Sequence, residues 1–359
     1  MEKNGHTVLV LGAGASVAEA KRHRRSHTKE HPPLDGDFFR KVKDHSKTRS
    51  EFQRVVARSE ELGQPDLCSD TQPFSLEQHL GRLYFEMSTN PSATNVSAYY
   101  DLVRLYAAEL LTTTNWMVGR KGPLKRLIER ELKRGRLSIV TFNHDLLVEN
   151  ALDLLPGRLH SDFCLYHSYG LTPGHAWCRN DAHETYDLMS CSNSGDIPIF
   201  KMHGSVNWVY RTREKNPPAD ITKRRRALFV QTNKTIDPWD TTLTVGSKGK
   251  GGRGVWYSWP LIVPPIYEKH GLIHGELRGI WASASEALRS ATRAIFFGYS
   301  FPRADLHARY FFQGLGQENP ALRRPVLINP DPAAHTALWE VLRPERVSHF
   351  RDVQDFLMA

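Results

Sequence analysis

Thr7-Val8-Leu9-Val10-Leu11 is an unbroken apolar run of strand length, without the polar alternation of a half-exposed strand, so it predicts a strand covered on both faces. It passes directly into Gly12-Ala13-Gly14-Ala15-Ser16. From about Phe38 to Arg134 the apolar spacing changes to three and four. Leu76, Leu80, Leu83 and Tyr84, then Tyr100, Leu102, Leu105, Tyr106 and Leu110 follow this rule and predict helices. Strand-sized runs return at 137–142, 197–202, 227–231, 261–263, 294–298 and 326–329, and a helix over 280–291 precedes the fifth of them. Short buried strands alternating with helices predict an α/β fold: a Rossmann-like, mostly parallel sheet with helices on both faces. Residues 1–36 and 136–359 are read as that sheet domain, and residues 37–135 as an inserted helical module. Residues 246–254, rich in glycine and lysine, read as a loop.

Composition narrows the class without choosing a function. The chain has 359 residues, 40% of them hydrophobic, enough for an ordinary core. No apolar run reaches the roughly 18 residues of a membrane span, and the start shows no signal-peptide core. A cytoplasmic protein without a membrane partner is expected. Four scattered cysteines (Cys68, Cys164, Cys178, Cys191) do not make a disulfide framework. The net charge of +9 favours anions, including nucleotides and nucleic acid. The runs Lys21-Arg22-His23-Arg24-Arg25 and Lys223-Arg224-Arg225-Arg226 fit either solvated loops or phosphate contacts.

The chemistry gathers at strand ends. A strand running into Gly12-x-Gly14 lets the backbone approach a pyrophosphate at a helix N-terminus, although Val17 stands where a dehydrogenase fingerprint has its third glycine. Thr141-Phe142-Asn143-His144-Asp145 puts an amide and a carboxylate past a second strand. Lys201-Met202-His203-Gly204-Ser205, Gly298-Tyr299-Ser300 and Asn329-Pro330-Asp331 follow three more. In an open α/β sheet ligands bind outside the carboxyl ends of the strands, so all five segments can face one crevice. Taken singly, Asn143 or Asp145 fits a helix cap and His203 a packed core histidine. Packing alone does not explain five polar strand ends.

These five ordered segments resemble the sirtuin superfamily, from Leu9 to Asp331 and excluding the helical insertion. Gly12-Ala13-Gly14-Ala15-Ser16 is similar to the sirtuin phosphate loop, Asn143-His144-Asp145 to its Asn-x-Asp, and His203-Gly204 to its His-Gly. Gly298-Tyr299-Ser300 and Ile328-Asn329-Pro330 resemble its adenosine-side motifs. The wording Lys-x-His-Gly-Ser-x-Asn-Trp and Gly-Tyr-Ser-Phe-Pro-x-x-Asp is closer to the sirtuin-like NAD-hydrolysing proteins of bacterial anti-phage defence than to protein deacylases. Deacylases carry two Cys-x-x-Cys pairs after the His-Gly motif, and here no cysteine follows Cys191.

The resemblance implies NAD⁺ as the substrate and its nicotinamide–ribose bond as the one broken, through an oxocarbenium-like transition state. It implies Asn143, Asp145 and His203 as catalytic residues. Asp145 would hold the carboxamide, Asn143 the ribose and water, and His203 would be the general base. Gly12, Ala13, Gly14, Ala15, Ser16, Asn143, Asp145, Gly298, Ser300 and Asn329 would bind the dinucleotide. The alternatives are a deacylase or ADP-ribosyl transferase, and a non-catalytic module holding NAD, ADP-ribose or nucleic acid. Relatives of this kind form homo-oligomers and act with a translocating ATPase or a short Argonaute, so a chain lacking a sensor implies such a partner. Nucleic acid would be met through that partner or the basic loops.

Other motifs carry less. Gly246-Ser247-Lys248-Gly249-Lys250 lacks the Gly-Lys-Ser/Thr ending of a P-loop. Cys164-x-x-His167 with His175-x-x-Cys178 has zinc-like spacing, but Tyr166, Tyr169 and Trp177 around it read as packing, and no metal is expected. No histidine stands at a diagnostic spacing from Ser16, so a serine hydrolase is not supported.

Overall fold

The computed structural model describes residues 5–22, 35–45, 48–63, 67, 75–114, 121–155, 176–179, 185–187, 197–212, 228–231, 243–244, 255–263 and 276–359. The basic runs beyond Arg22, the loop at 246–254, and Cys164, His167 and His175 lie outside the described residues.

The run that opens the chain forms β1 (Gly5–Leu11), whose side chains from His6 onward are buried. On one side it pairs in parallel with β2 (Gly135–Thr141), from Gly5↔Gly135 to Leu11↔Thr141, and β2 pairs with β5 (Ile199–Lys201). On the other side it pairs with β10 (Arg293–Phe297), from Thr7↔Arg293 to Leu11↔Phe297. β11 (Val326–Ile328) and β12 (Ser348–Phe350) continue the sheet in parallel. The order is β12-β11-β10-β1-β2-β5. Numbered by their own succession these strands run 3-2-1-4-5-6, the doubly wound Rossmann arrangement.

Parallel crossovers are right-handed, so reversing the direction of travel at β1 moves the helices to the opposite face. The first group is α1 (Ala13–Arg22), α6 (Pro123–Arg134) and α7 (Leu147–Asp153), with the terminal α12 (Val353–Met358) packed on α6. The second is α8 (Glu276–Arg289), α9 (Leu306–Glu318), α10 (Pro320–Arg323) and α11 (Pro332–Leu342). Both faces are covered, which is why β1, β2 and β10 are apolar without alternation.

The long helical stretch supplies α2 (Phe38–Asp44), α3 (Arg49–Glu61), α4 (Leu76–Thr89) and α5 (Ala93–Thr114). They share a second core around Phe38, Leu80, Leu83, Leu102 and Leu105, which also takes in Leu146, Val206 and Ile262 from the sheet domain. Leu124, Leu127 and Ile128 of α6 belong instead to the main core. Gly122 precedes that helix and Pro123 opens it, and Glu19 Oε1 of α1 accepts the Leu124 N–H at 2.6 Å. Periodicity predicts a helix here but not the surface it covers.

A second sheet departs from the sequence expectation. β3 (Ala176–Arg179), β4 (Thr185–Asp187), β6 (Gly204–Thr212), β7 (Leu228–Gln231), β8 (Leu243–Thr244) and β9 (Val255–Ile262) form it in the order β4-β3-β7-β6-β9-β8. Its pairs are antiparallel except β3 with β7. The runs at 227–231 and 261–263 therefore serve this sheet rather than the parallel one. A short apolar run signals a buried strand and carries no information about its partner.

Candidate active site

The five polar segments all follow carboxyl ends of parallel strands, namely β1, β2, β5, β10 and β11, and so emerge at one edge of the sheet. The reversal of strand order lies between β1 and β10. There the turns after the two strands are bonded directly: Gly12 N donates to Phe297 O at 3.2 Å and Gly14 N to Gly298 O at 2.9 Å. A Cβ on Gly298 would stand 2.1 Å from Ala15 N and 2.3 Å from Gly14 C, and its φ is +61°. Both the approach and the dihedral demand glycine. Gly298→Ala should therefore destabilise the fold by about 1–3 kcal/mol through overpacking, read as a lower midpoint in thermal or urea unfolding. Phe301, with φ 51°, is a second left-handed residue in this segment, and Arg309 Nη1 donates to its carbonyl at 2.9 Å.

A cavity of about 820 Å³ opens on this side of the crevice. Ala13, Gly14, Gly298, Ser300 and Asn329 line it, with Lys21 and Arg351 as cations and Asp331, Asp352 and Asp355 as carboxylates. α1 starts at Ala13 with no acidic residue in its first turn, leaving its N-terminal N–H groups and dipole suited to an anion. Asn329 is buried; its Oδ1 accepts from Asp331 N at 3.0 Å, and its Nδ2 donates to Tyr299 O at 3.4 Å.

The remaining sequence candidates meet on the β2 side of the same turn. Asn143 Nδ2 donates to Gly12 O at 2.9 Å and to Ser16 Oγ at 3.1 Å. Ser16 Oγ in turn donates to Asp145 Oδ2 at 2.6 Å. Asp145 Oδ1 accepts the Leu147 N–H at 3.1 Å; the N-cap of α7 is Leu146, so Asp145 bonds the start of the helix from one residue outside the cap and uses one of its two oxygens to do so. Asn143, Ser16 and Asp145 form one chain of hydrogen bonds whose first member also holds the glycine turn.

His203 lies on the turn between β5 and β6. Gly204 has φ +82°, and a Cβ there would fall 2.2 Å from Leu261 O, so the residue after the histidine must be glycine. The imidazole is 5% exposed and packs edge-on to Phe142 at 5.3 Å between ring centroids. It also faces Trp281 at 6.2 Å and His144 at 6.1 Å. Trp281 Nε1 donates to Met202 O at 2.8 Å and fixes that wall. His203 Nε2 is 3.4 Å from Asp305 Oδ2.

Several participants escaped the sequence reading. Lys201 is fully buried, pairs with Glu149 Oε1 at 2.8 Å and donates to Asp145 O. His144 has Tyr106 OH of the insertion 2.8 Å from Nδ1 and Val263 O 3.0 Å from Nε2. Burial, and next the Asp305 carboxylate, push the Tyr299 phenol well above its usual range, so it is neutral at physiological pH. A lysine ending an apolar strand and the aspartate of Gly-Tyr-Ser-Phe-Pro-x-x-Asp were the available signals.

Among the described residues no helix is long and apolar enough to cross a membrane, and no cluster of three or more potential metal ligands occurs. No protein-family model matches the chain, and no curated protein matches it. Solved structures do resemble it. One, described as "Structural Basis for the Mechanism and Regulation of Sir2 Enzymes", is 11% identical over 99% of this chain and 90% of that chain, with TM-score 0.41. A Sir2 homologue–NAD complex is 13% identical over 94% and 88%, with TM-score 0.36. A mutant Sir2 homologue with 2′-O-acetyl ADP-ribose is 13% identical over 94% and 90%, with TM-score 0.38. The chain is similar to these along nearly its whole length, while its Rossmann assignment rests on strand order and register.

Proposed function

We propose that this protein binds NAD⁺ across the β1/β10 crevice and hydrolyses the nicotinamide–ribose bond. The observation that carries the reading is the linked Asn143–Ser16–Asp145 chain on one side of the Gly12–Gly14 turn, with the 820 Å³ cavity on the other. A dinucleotide would place its adenosine in the cavity and its pyrophosphate over the start of α1. Its nicotinamide riboside would then lie towards Asn143, Asp145 and His203. Nicotinamide leaves as a neutral molecule and needs no acid. Water adds to the ribose carbon, and its proton passes to His203 as the C–N bond breaks.

In this reading the protein is a defence effector that depletes NAD⁺. It is weakly active until assembly, or a partner such as a translocating ATPase or short Argonaute, engages it. The Tyr106–His144 contact supports a role for the insertion in that control.

Purified protein, concentrated enough to assemble, should release nicotinamide and ADP-ribose from NAD⁺ without any peptide. Nicotinamide release that requires an acyl-lysine peptide would favour the deacylase. No release under either condition, with or without co-expressed partners, would overturn the enzymatic reading.

A further inference from the structure

We infer that Asp305 is a positioning residue that orients His203 and fixes which of its ring nitrogens carries the proton. The assignment rests on His203 as the base of the proposed reaction, but its geometry is independent of substrate. Asp305 precedes α9 and is 4% exposed; its Oδ1 accepts from Ala308 N at 3.4 Å, and its backbone N–H donates to Pro302 O at 3.1 Å. One oxygen thus caps the helix, and the other is held 3.4 Å from His203 Nε2.

The contact is at ion-pair distance without hydrogen-bond geometry, so the carboxylate acts through its negative charge, which favours a proton on the nearer ring nitrogen, Nε2, over one on Nδ1. The surroundings permit little rotation of the ring: Phe142, Trp281 and His144 pack around it, and Val263 N donates to His203 O at 2.8 Å. Tyr299 is the other group that feels this carboxylate, and it stays neutral. During turnover Nδ1 would accept the proton from water, while the Nε2 proton stays in place and Asp305 faces the resulting imidazolium. Asp305 takes no proton itself.

The experiment uses the full chain labelled with ¹⁵N-histidine. Long-range ¹H–¹⁵N spectra report the His203 tautomer, assigned by the signal lost in His203→Gln. Asp305→Ser retains an oxygen to cap α9 but withdraws the carboxylate from the imidazole; Asp305→Asn provides a larger cap-competent replacement should serine unfold the helix. Wild type should show the Nε2–H tautomer, and the variants a shifted tautomer balance. kcat for NAD⁺ should fall by about 10²-fold, the scale of a misoriented catalytic group, with KM nearly unchanged and the unfolding midpoint close to wild type. A wild-type proton on Nδ1, an unchanged spectrum in the variants, or an altered tautomer with unchanged kcat would overturn the inference. If the tautomer shifts but wild type releases no nicotinamide, the pairing is supported and the NAD⁺ reading is the part that fails.

Discussion

His203→Ala should lose about 10²–10⁴-fold in NAD⁺ turnover while the protein keeps its fold, the range expected for removal of a general base. The imidazole sits at the end of β5, and its backbone carbonyl accepts from Val263 independently of the side chain. Alanine therefore leaves the β5–β6 turn, with its obligatory Gly204, in place. Asn143→Ala should be at least as damaging in rate. It removes the donor to both Gly12 O and Ser16 Oγ, so the glycine turn and the Asp145 carboxylate lose their common tie. A stopped assay of nicotinamide release, with circular dichroism to verify folding, checks both variants. Near-wild-type turnover in both would move the active site elsewhere.

Lys201→Met should destabilise the protein by about 3–5 kcal/mol, the usual consequence of removing one member of a buried ion pair. Methionine fills much of the same volume, so the loss is chiefly electrostatic. The Glu149 carboxylate, 5% exposed, would lose the ammonium now 2.8 Å away, and Asp145 O would lose the same donor. Because Asp145 belongs to the candidate site, activity should fall even at temperatures where the variant is folded. Urea unfolding with unchanged slope and a lower midpoint is the expected signature. A midpoint equal to wild type would mean that the pair contributes nothing net. The double variant Lys201→Met with Glu149→Gln should recover part of the loss.

Much of the parallel sheet is written in the chain as apolar runs of strand length, and the glycines after β1 and β10 mark where it opens. The second sheet is written faintly. Ala176–Arg179 and Thr185–Asp187 are too short for any period to show, and Gly204–Thr212 mixes Asn207 and Arg211 with apolar residues. The strand-end motifs were legible because each is local. Lys201 with Glu149, Tyr106 with His144, and His203 with Asp305 are contacts between distant parts of the chain, which no spacing rule encodes. Asp145 was weighed as either a helix cap or a functional carboxylate. With two oxygens facing different groups, it is not the cap of α7, which is Leu146, but accepts the Leu147 N–H through one oxygen and meets Ser16 through the other.

The contact between α5 and the β2 end has a mechanical meaning. Leu146, Val206 and Ile262 are shared with the core of the insertion, and Tyr106 reaches His144. His144 O accepts from Val206 N at 3.0 Å, in the strand that begins one residue after His203. α5 and the imidazole are thus joined by a short run of direct contacts. Any coupling carried along such a run is the same in both directions. If a protein seated on the helices changes how tightly a dinucleotide is held, the dinucleotide must change the grip on that protein by the same factor.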